Sequence, residues 1–173
     1  MVPGKESETD ARLRTQVERV SERELVLRRS FRARASTVFD AMTQPELLRR
    51  WWTPQSLGVV LFECEVELRV GGRYRYVFGR PEQPRMAFSG VYTEVVRASR
   101  LVYTQIFEPM PEAGEGLITV TFEERDGLTH LVQSELYPSK EVLDGAIASG
   151  MERGMRETLE QLTALLQELG RVG

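Results

Sequence analysis

The chain has 173 residues, of which 41% are hydrophobic and 28% are charged, and its formal net charge is −3. These values are typical of a globular protein built on one hydrophobic core. The 23 basic residues are dispersed among 26 acidic residues and form no basic stripe, which argues against a nucleic-acid-binding surface. No apolar run of about 18 residues is present and the N-terminus is polar, so we expect a cytoplasmic protein that is neither inserted into a membrane nor exported.

The single cysteine and the single histidine restrict the chemistry that the chain can perform. Cys64 alternates with Phe62 and Val66, which is the pattern of a small buried hydrophobe rather than a reactive thiol. His130 lies in a strand pattern without an identifiable acid–base partner. The sequence therefore predicts no metal site, no cofactor and no catalytic residue.

The N-terminal part of the chain divides into an extension and the start of a domain. Residues 1–22 alternate acids and arginines with few apolar side chains, which indicates a flexible extension. Residues 23–170 are predicted to form a single domain. It begins with a strand over residues 24–34, and two short helices follow within residues 36–52, the first capped by Ser36 and the second ending at the two tryptophans.

The middle of the chain shows the two-residue alternation of antiparallel strands. Gly71-Gly72 and Asp126-Gly127 supply tight turns between strands, and nearly all connections are too short for a helical crossover. Alternation also places Glu63, Glu65 and Glu67 on one face, which we interpret as a solvated face. The predicted strands are Val60–Leu68, Arg73–Phe78, Met86–Val96, Leu101–Phe107, Leu117–Glu123 and Leu128–Leu136.

The C-terminal part is a helical tract from Ser139, the predicted N-cap, to Leu169. Leucine, isoleucine and methionine recur along it at steps of three and four residues, so one face must pack on an apolar surface. Glycines near 145–150 indicate a helix break or a close approach to the sheet. Strands in the middle and helices at the ends predict an α+β fold.

Several short motifs along the chain occur in a characteristic order. They are Val38-Phe39-x-Ala41-x-Thr43-x-Pro45-Glu46-x-Leu48-x-x-Trp51-Trp52-x-Pro54, Arg69-Val70-Gly71-Gly72, Gly90-Val91-Tyr92-x-Glu94-Val95, Arg100-Leu101-Val102-Tyr103-Thr104, Thr119-Val120-Thr121-Phe122, Gly127-x-Thr129 and Met151-Glu152-x-Gly154. In this order they resemble the SRPBCC (START/Bet v 1-like) superfamily, and within it the activator of Hsp90 ATPase homologue 1-like branch.

The resemblance implies a helix-grip (Bet v 1/START-like) fold. In this fold a curved antiparallel sheet of about six or seven strands wraps around a long C-terminal helix, with two short helices after the first strand. It also implies a cavity between the sheet and that helix, which in many relatives takes a small hydrophobic molecule. The chain departs from the branch at Gly154-Met155, where an indole often follows the glycine, and the flexible thioether makes a more adaptable wall.

Aromatic, amide and methionine side chains are the candidates to line such a cavity. Alternation groups Tyr103 with Gln105 and Phe107, and it groups Gln133 with Leu131 and Glu135, but it leaves open whether these faces point inward. The ligand-binding candidates are Trp51, Trp52, Tyr74, Tyr76, Phe78, Phe88, Tyr92, Tyr103, Gln105, Gln133, Met151 and Met155.

We expect a binding protein for a small apolar or amphipathic molecule rather than an enzyme. Two alternatives stay open on the strength of the resemblance. One is a polyketide cyclase or aromatase-like enzyme that uses the cavity to orient a reactive chain. The other is an Hsp90 co-chaperone-like stress-response protein. Separately, the sequence leaves open whether the protein forms a homodimer.

Overall fold

Four of the five α-helices in the described residues form where the sequence predicts helices, and the first, short one lies in the segment predicted to be a flexible extension. A computed structural model describes residues 7–172 of the chain. None of the helices in this range combines the length and the apolar character that crossing a membrane requires. Single 3-10 turns occupy Gln55–Leu57 and Pro111–Ala113. The α-helices are α1 (Glu8–Arg12), α2 (Ala35–Thr43), α3 (Pro45–Trp51), α4 (Lys140–Ala148) and α5 (Met151–Val172).

All the strands belong to one open antiparallel sheet, which with the long C-terminal helix gives the expected helix-grip fold. The order across the sheet is β1-β2-β8-β7-β6-β5-β4-β3, so β1 and β3 are its edges. Residues 7–172 form eight strands where about six or seven were expected. They are β1 (Gln16–Arg19), β2 (Glu24–Phe31), β3 (Val60–Val66), β4 (Arg73–Gly79), β5 (Met86–Val96), β6 (Arg100–Phe107), β7 (Glu115–Arg125) and β8 (Leu128–Leu136).

The additional strand, β1, lies in the segment that was predicted to be a flexible extension. It pairs with β2 in the register Val17↔Leu27, and the buried guanidinium of Arg29 donates to the Thr15 hydroxyl over 3.1 Å. These long-range contacts are invisible to composition, which is why the prediction differs from the structure over residues 7–22. Residues 1–6 lie outside the described residues.

The predicted helical tract divides at Gly150. This residue has a φ of 85°, in the left-handed region that glycine adopts without strain, and it separates α4 from α5. Ser139 caps α4 as predicted, because its hydroxyl accepts from the Val142 amide over 3.2 Å. The predicted Ser36 cap of α2 is wrong, since the helix begins at Ala35 and the carboxylate of Glu124 accepts the Ala35 amide over 2.9 Å.

One face of the sheet packs against α2, α3 and α5 and is called the inner face here. Leu131 is fully buried there together with Leu162 of α5 and Phe39 of α2. Under α5 the apolar stripe is closely packed, because its leucines fill the space above the centre of the sheet. The buried members of the stripe are Leu159, Leu162, Leu165 and Leu166.

Candidate functional site

An aromatic cluster covers the inner face of β4, β5 and β6. The rings of Tyr74 and Tyr103 meet edge to face with centroids 5.2 Å apart, and those of Tyr92 and Tyr103 are 5.8 Å apart. Aromatic pairs prefer this tilted arrangement, in which ring edges meet ring faces. The question that alternation left open is thus settled for this group of candidates, all of which point inward: Tyr74, Tyr76, Phe78, Phe88, Tyr92, Tyr103 and Gln105.

The two tryptophans at the end of α3 have different environments. Trp51 is buried in the core, and its indole nitrogen donates to the Ala41 carbonyl over 2.8 Å, which ties α3 to α2. Trp52 is half-buried and lies edge-on to Tyr76 and Phe78, with centroid distances of 4.9 and 5.3 Å. Trp51 is therefore an anchor of the helix, whereas Trp52 closes one end of the aromatic cluster.

Burial keeps the phenols of this cluster neutral. It raises the pKa of Tyr92 to about 12, although a hydrogen bond from Tyr76 acts in the opposite direction, and it raises the pKa values of Tyr76 and Tyr103 further. The Tyr74 hydroxyl donates to the Thr104 carbonyl over 2.6 Å. These phenols are therefore part of the packed inner face, and they cannot act as bases near neutral pH.

A hollow of about 70 Å³ lies at the end of the inner face, beside the start of α4. It is called the inner-face pocket here. It lies next to the first half of the helical tract, α4, and not beneath α5, whose leucines pack on the sheet. Its lining is mostly apolar and aromatic. The lining residues are Phe88, Gln105, Phe107, Ala113, Gly114, Gly116, Ile118, Glu135, Leu136, Tyr137, Pro138 and Val142.

Glu135 is the one carboxylate in this lining, and it is 8% exposed. Its neighbours across the sheet are Leu25 of β2 and Ile118 of β7, both buried. This apolar setting raises the pKa of the Glu135 carboxyl to about 7, because burial disfavours its charged form. Its Oε2 atom is buried and has no hydrogen-bond partner among residues 7–172.

Two tyrosines flank this carboxyl. Burial is the main cause that raises the pKa of Tyr137, and the nearby charge of Glu135 raises it further. The charge of Glu135 also contributes to the raised pKa of Tyr103. The Tyr137 hydroxyl lies 3.5 Å from the Met151 sulfur at the start of α5. Tyr137 therefore links the pocket to the predicted residue Met151 without exposing a free phenol.

The remaining predicted residues lie away from this lining. Gln133 lies between Leu27 and Val120 in the middle of the sheet, and Met155 packs on the core below α5. Only Phe88 and Gln105 of the predicted set line the pocket. Glu135 was not among the predicted site residues, although alternation grouped it with Gln133 on one face; that grouping was the sequence signal that could have found it.

Other polar features of the described chain do not form a comparable site. A groove of about 180 Å³ between α3 and α5 is lined by polar and charged residues, of which Arg50 and Glu168 form an exposed ion pair. His130 faces away from the helices and its Nδ1 atom lies 2.6 Å from the Ser30 hydroxyl. Burial raises the pKa of Cys64 to about 11, so it stays a thiol. Residues 7–172 contain no group of three or more side chains suited to hold a metal ion.

Comparisons with known proteins agree with this architecture. A family model described as activator of Hsp90 ATPase homolog 1-like protein matches residues 32–167. The chain belongs to this family. A search of curated proteins found no match.

Solved structures extend the comparison for this member of the activator of Hsp90 ATPase homolog 1-like family. A Rhodobacter sphaeroides protein is 28% identical with a TM-score of 0.81, and the match covers 89% of this chain and 99% of that one. A Chromobacterium violaceum protein is 26% identical with a TM-score of 0.74, covering 84% and 98%. A structure described as an HSP90 activator from Plasmodium falciparum is 21% identical with a TM-score of 0.51, covering 66% and 73%, and it shares the fold alone.

Proposed function

We propose that this protein binds a small apolar or amphipathic molecule in the inner-face pocket. The observation that carries the proposal is the lining itself, in which Phe88 and Phe107 surround a hollow that also presents Gln105 and Glu135. Ligand sites in proteins combine a mostly apolar wall with a few polar groups that orient the ligand. The pocket has both components.

The size of the hollow limits the ligand. One water molecule needs about 10–15 Å³ by the same kind of measure, so the 70 Å³ of the pocket exceed that need several-fold. Pockets for drug-sized ligands are several times larger, at roughly 300 Å³ or more. An apolar cavity that holds benzene measures about 150 Å³. The hollow therefore encloses only part of a ring-sized molecule, and the rest of the ligand lies at its open mouth.

The protonation states of the lining favour binding over proton-transfer catalysis. Glu135 is the one lining group whose pKa burial brings near neutrality, while Tyr137 stays a neutral phenol. A cyclase or aromatase-like reaction would have to use Glu135 alone or find a second proton carrier within reach of the substrate. The lining that the structure describes does not supply one, and an Hsp90 partner rests on the family description alone.

Filling the pocket tests the proposal. Ala113 lines the hollow, so the Ala113→Leu variant should place its added methyl groups inside, whereas Ala148→Leu makes the same change at an exposed position of α4. Benzyl alcohol, titrated by NMR, should shift the amides of Gly114 and Gly116 in the unmodified protein. We expect Ala113→Leu to weaken this binding by about tenfold or more, a change of about 1.4 kcal/mol, and Ala148→Leu to leave it unchanged.

The proposal fails if benzyl alcohol and similar ring compounds leave these amides unshifted. It also fails if Ala113→Leu binds the probe as tightly as the unmodified protein does, since the ligand would then occupy another place.

A further inference from the structure

The carboxyl of Glu135 is an unusual group to find in an apolar pocket. Its side chain lies between Leu25 and Ile118, it is more than nine-tenths buried, and its Oε2 atom lacks a partner within the described residues. Leaving a buried acceptor unpaired costs free energy of folding, and the cost is larger when the group is charged. A group with this cost is expected to gain a partner in the functional state of the protein.

That partner is not a side chain of the described chain. Burial is the one cause that acts on the pKa of Glu135, and no arginine or lysine of residues 7–172 contributes to it. The other buried charge facing the helices, Arg29, donates to Glu160, Thr15 and Thr163 at 2.6, 3.1 and 3.0 Å, and only its Nε atom has no partner within residues 7–172. Glu135 is thus a buried acid with no cationic side chain of residues 7–172 acting on it.

The surrounding rings suit a cation as well as an apolar body. Phe88 and Phe107 lie in the same lining with ring centroids 5.2 Å apart, and Tyr137 adds a third ring. Aromatic faces attract ammonium groups through their negative electrostatic potential, and this attraction grows when water is excluded. A carboxylate beside aromatic rings is therefore complementary to a protonated amine.

We propose that the inner-face pocket takes a small apolar amine, whose ammonium group pairs with the Glu135 carboxylate while its hydrocarbon part contacts Phe88, Phe107 and Ile118. The inference rests on the proposed function, because it names the chemical class of the ligand for the same pocket. An ammonium in the hollow places a cation beside the carboxyl, and its charge offsets the burial of the carboxylate. The amide of Gln105 offers a further acceptor in the same lining.

A matched pair of probes tests this inference. Benzylamine and benzyl alcohol have the same ring and nearly the same length, but only the amine is a cation at neutral pH. We expect benzylamine to bind about 10- to 100-fold more tightly, as charge-assisted hydrogen bonds are worth about 1.5–3 kcal/mol. NMR titration of the Gly114 and Gly116 amides gives both affinities and the location of each probe.

Two variants assign the preference to Glu135. Glu135→Gln keeps the shape and removes the charge, so benzylamine should lose its advantage while benzyl alcohol changes by less than about threefold. Glu65→Gln makes the same change on the solvated side of β3 and should keep the preference. Because Gln replaces an unpaired buried acid, the Glu135 variant is expected to fold.

The outcomes separate the two proposals. If both probes bind with equal affinity, or if Glu135→Gln keeps the preference for the amine, the amine assignment is wrong and the binding function stands. If neither probe shifts the pocket amides, both are wrong.

Discussion

At the scale of single residues, the pocket depends on where one carboxyl is placed along β8. Moving Glu135 by one position would put it on the outer face beside solvent, because successive strand residues point to opposite faces. Its present position places it across from Leu25 and Ile118, where burial raises its pKa to about 7. The carboxyl is therefore about half ionised at neutral pH.

This pKa makes the stability of the protein depend on pH. Between the ordinary pKa of 4.5 and about 7, the folded chain holds a proton on Glu135 that the unfolded chain releases. The contribution of this carboxyl to the free energy of unfolding is thus fully present below about pH 4.5. It decreases as the pH rises and is gone above about pH 7. The difference between the pKa values of Glu135 in the unfolded and folded chain corresponds to roughly 3 kcal/mol of unfolding free energy.

Urea unfolding should reveal this dependence by comparison with Glu135→Gln. The variant is expected to match the unmodified protein near about pH 4 and to exceed it by up to about 3 kcal/mol near about pH 8. A constant difference at all pH values would contradict the raised pKa. Glu65→Gln, on the solvated side of β3, serves as the control and should show no such divergence.

At the scale of elements, the sequence predicted the type of most helices and strands because each has a consistent period. The alternation of apolar and polar residues in β3 and β4 and the leucine stripe of α5 are local patterns. Such patterns can be recognised in the sequence without a structure. Ser139 was recognised as a cap because its own side chain provides the acceptor. The cap of α2 was missed because its acceptor, Glu124, is remote in sequence and comes from β7.

Arg29 shows how a remote contact joins elements. Its guanidinium is 5% exposed and connects β2 to Glu160 and Thr163 of α5 and to Thr15 before β1. Since Glu160 is itself 65% exposed, the ion pair alone is weak and the buried hydrogen bonds and packing supply most of the effect.

Two alanine variants on β2 make a matched test. We expect Arg29→Ala to lower the free energy of unfolding by about 2 kcal/mol or more, because two threonine hydroxyls lose a donor and packing is lost. Arg28→Ala, on the opposite face, removes an exposed pair with Glu18 and should cost less than about 0.5 kcal/mol. Equal costs in chemical denaturation would show that Arg29 does not join these elements.

At the scale of the whole molecule, the fold class could be predicted from the order of the motifs, whereas the extent of the sheet and the position of the hollow could not. The strand β1 has few apolar residues, so only its pairing with β2 and the contact of Arg156 with the Thr15 carbonyl, at 2.5 Å, reveal it. Which faces point inward, and where packing leaves space, depends on all the elements together.

Truncation tests whether residues before 23 belong to the folded unit. A variant that starts at residue 23 loses β1 and the Thr15 partner of Arg29, so we expect it to unfold at a lower urea concentration. A single cooperative transition is expected for both chains, as for one domain. An unchanged midpoint would mean that these residues add nothing to stability, and two separate transitions would contradict a single domain.

β3 is an edge strand that pairs with β4 on one side and has no strand of residues 7–172 on its other side. An unpaired edge strand can pair with the same strand of another copy and lead to aggregation. Here Glu63 and Glu65 project into water from that edge, so a second copy arriving alongside would bring like charges together. We therefore expect the acidic face of β3 to oppose edge-to-edge association of two copies through the repulsion of like charges.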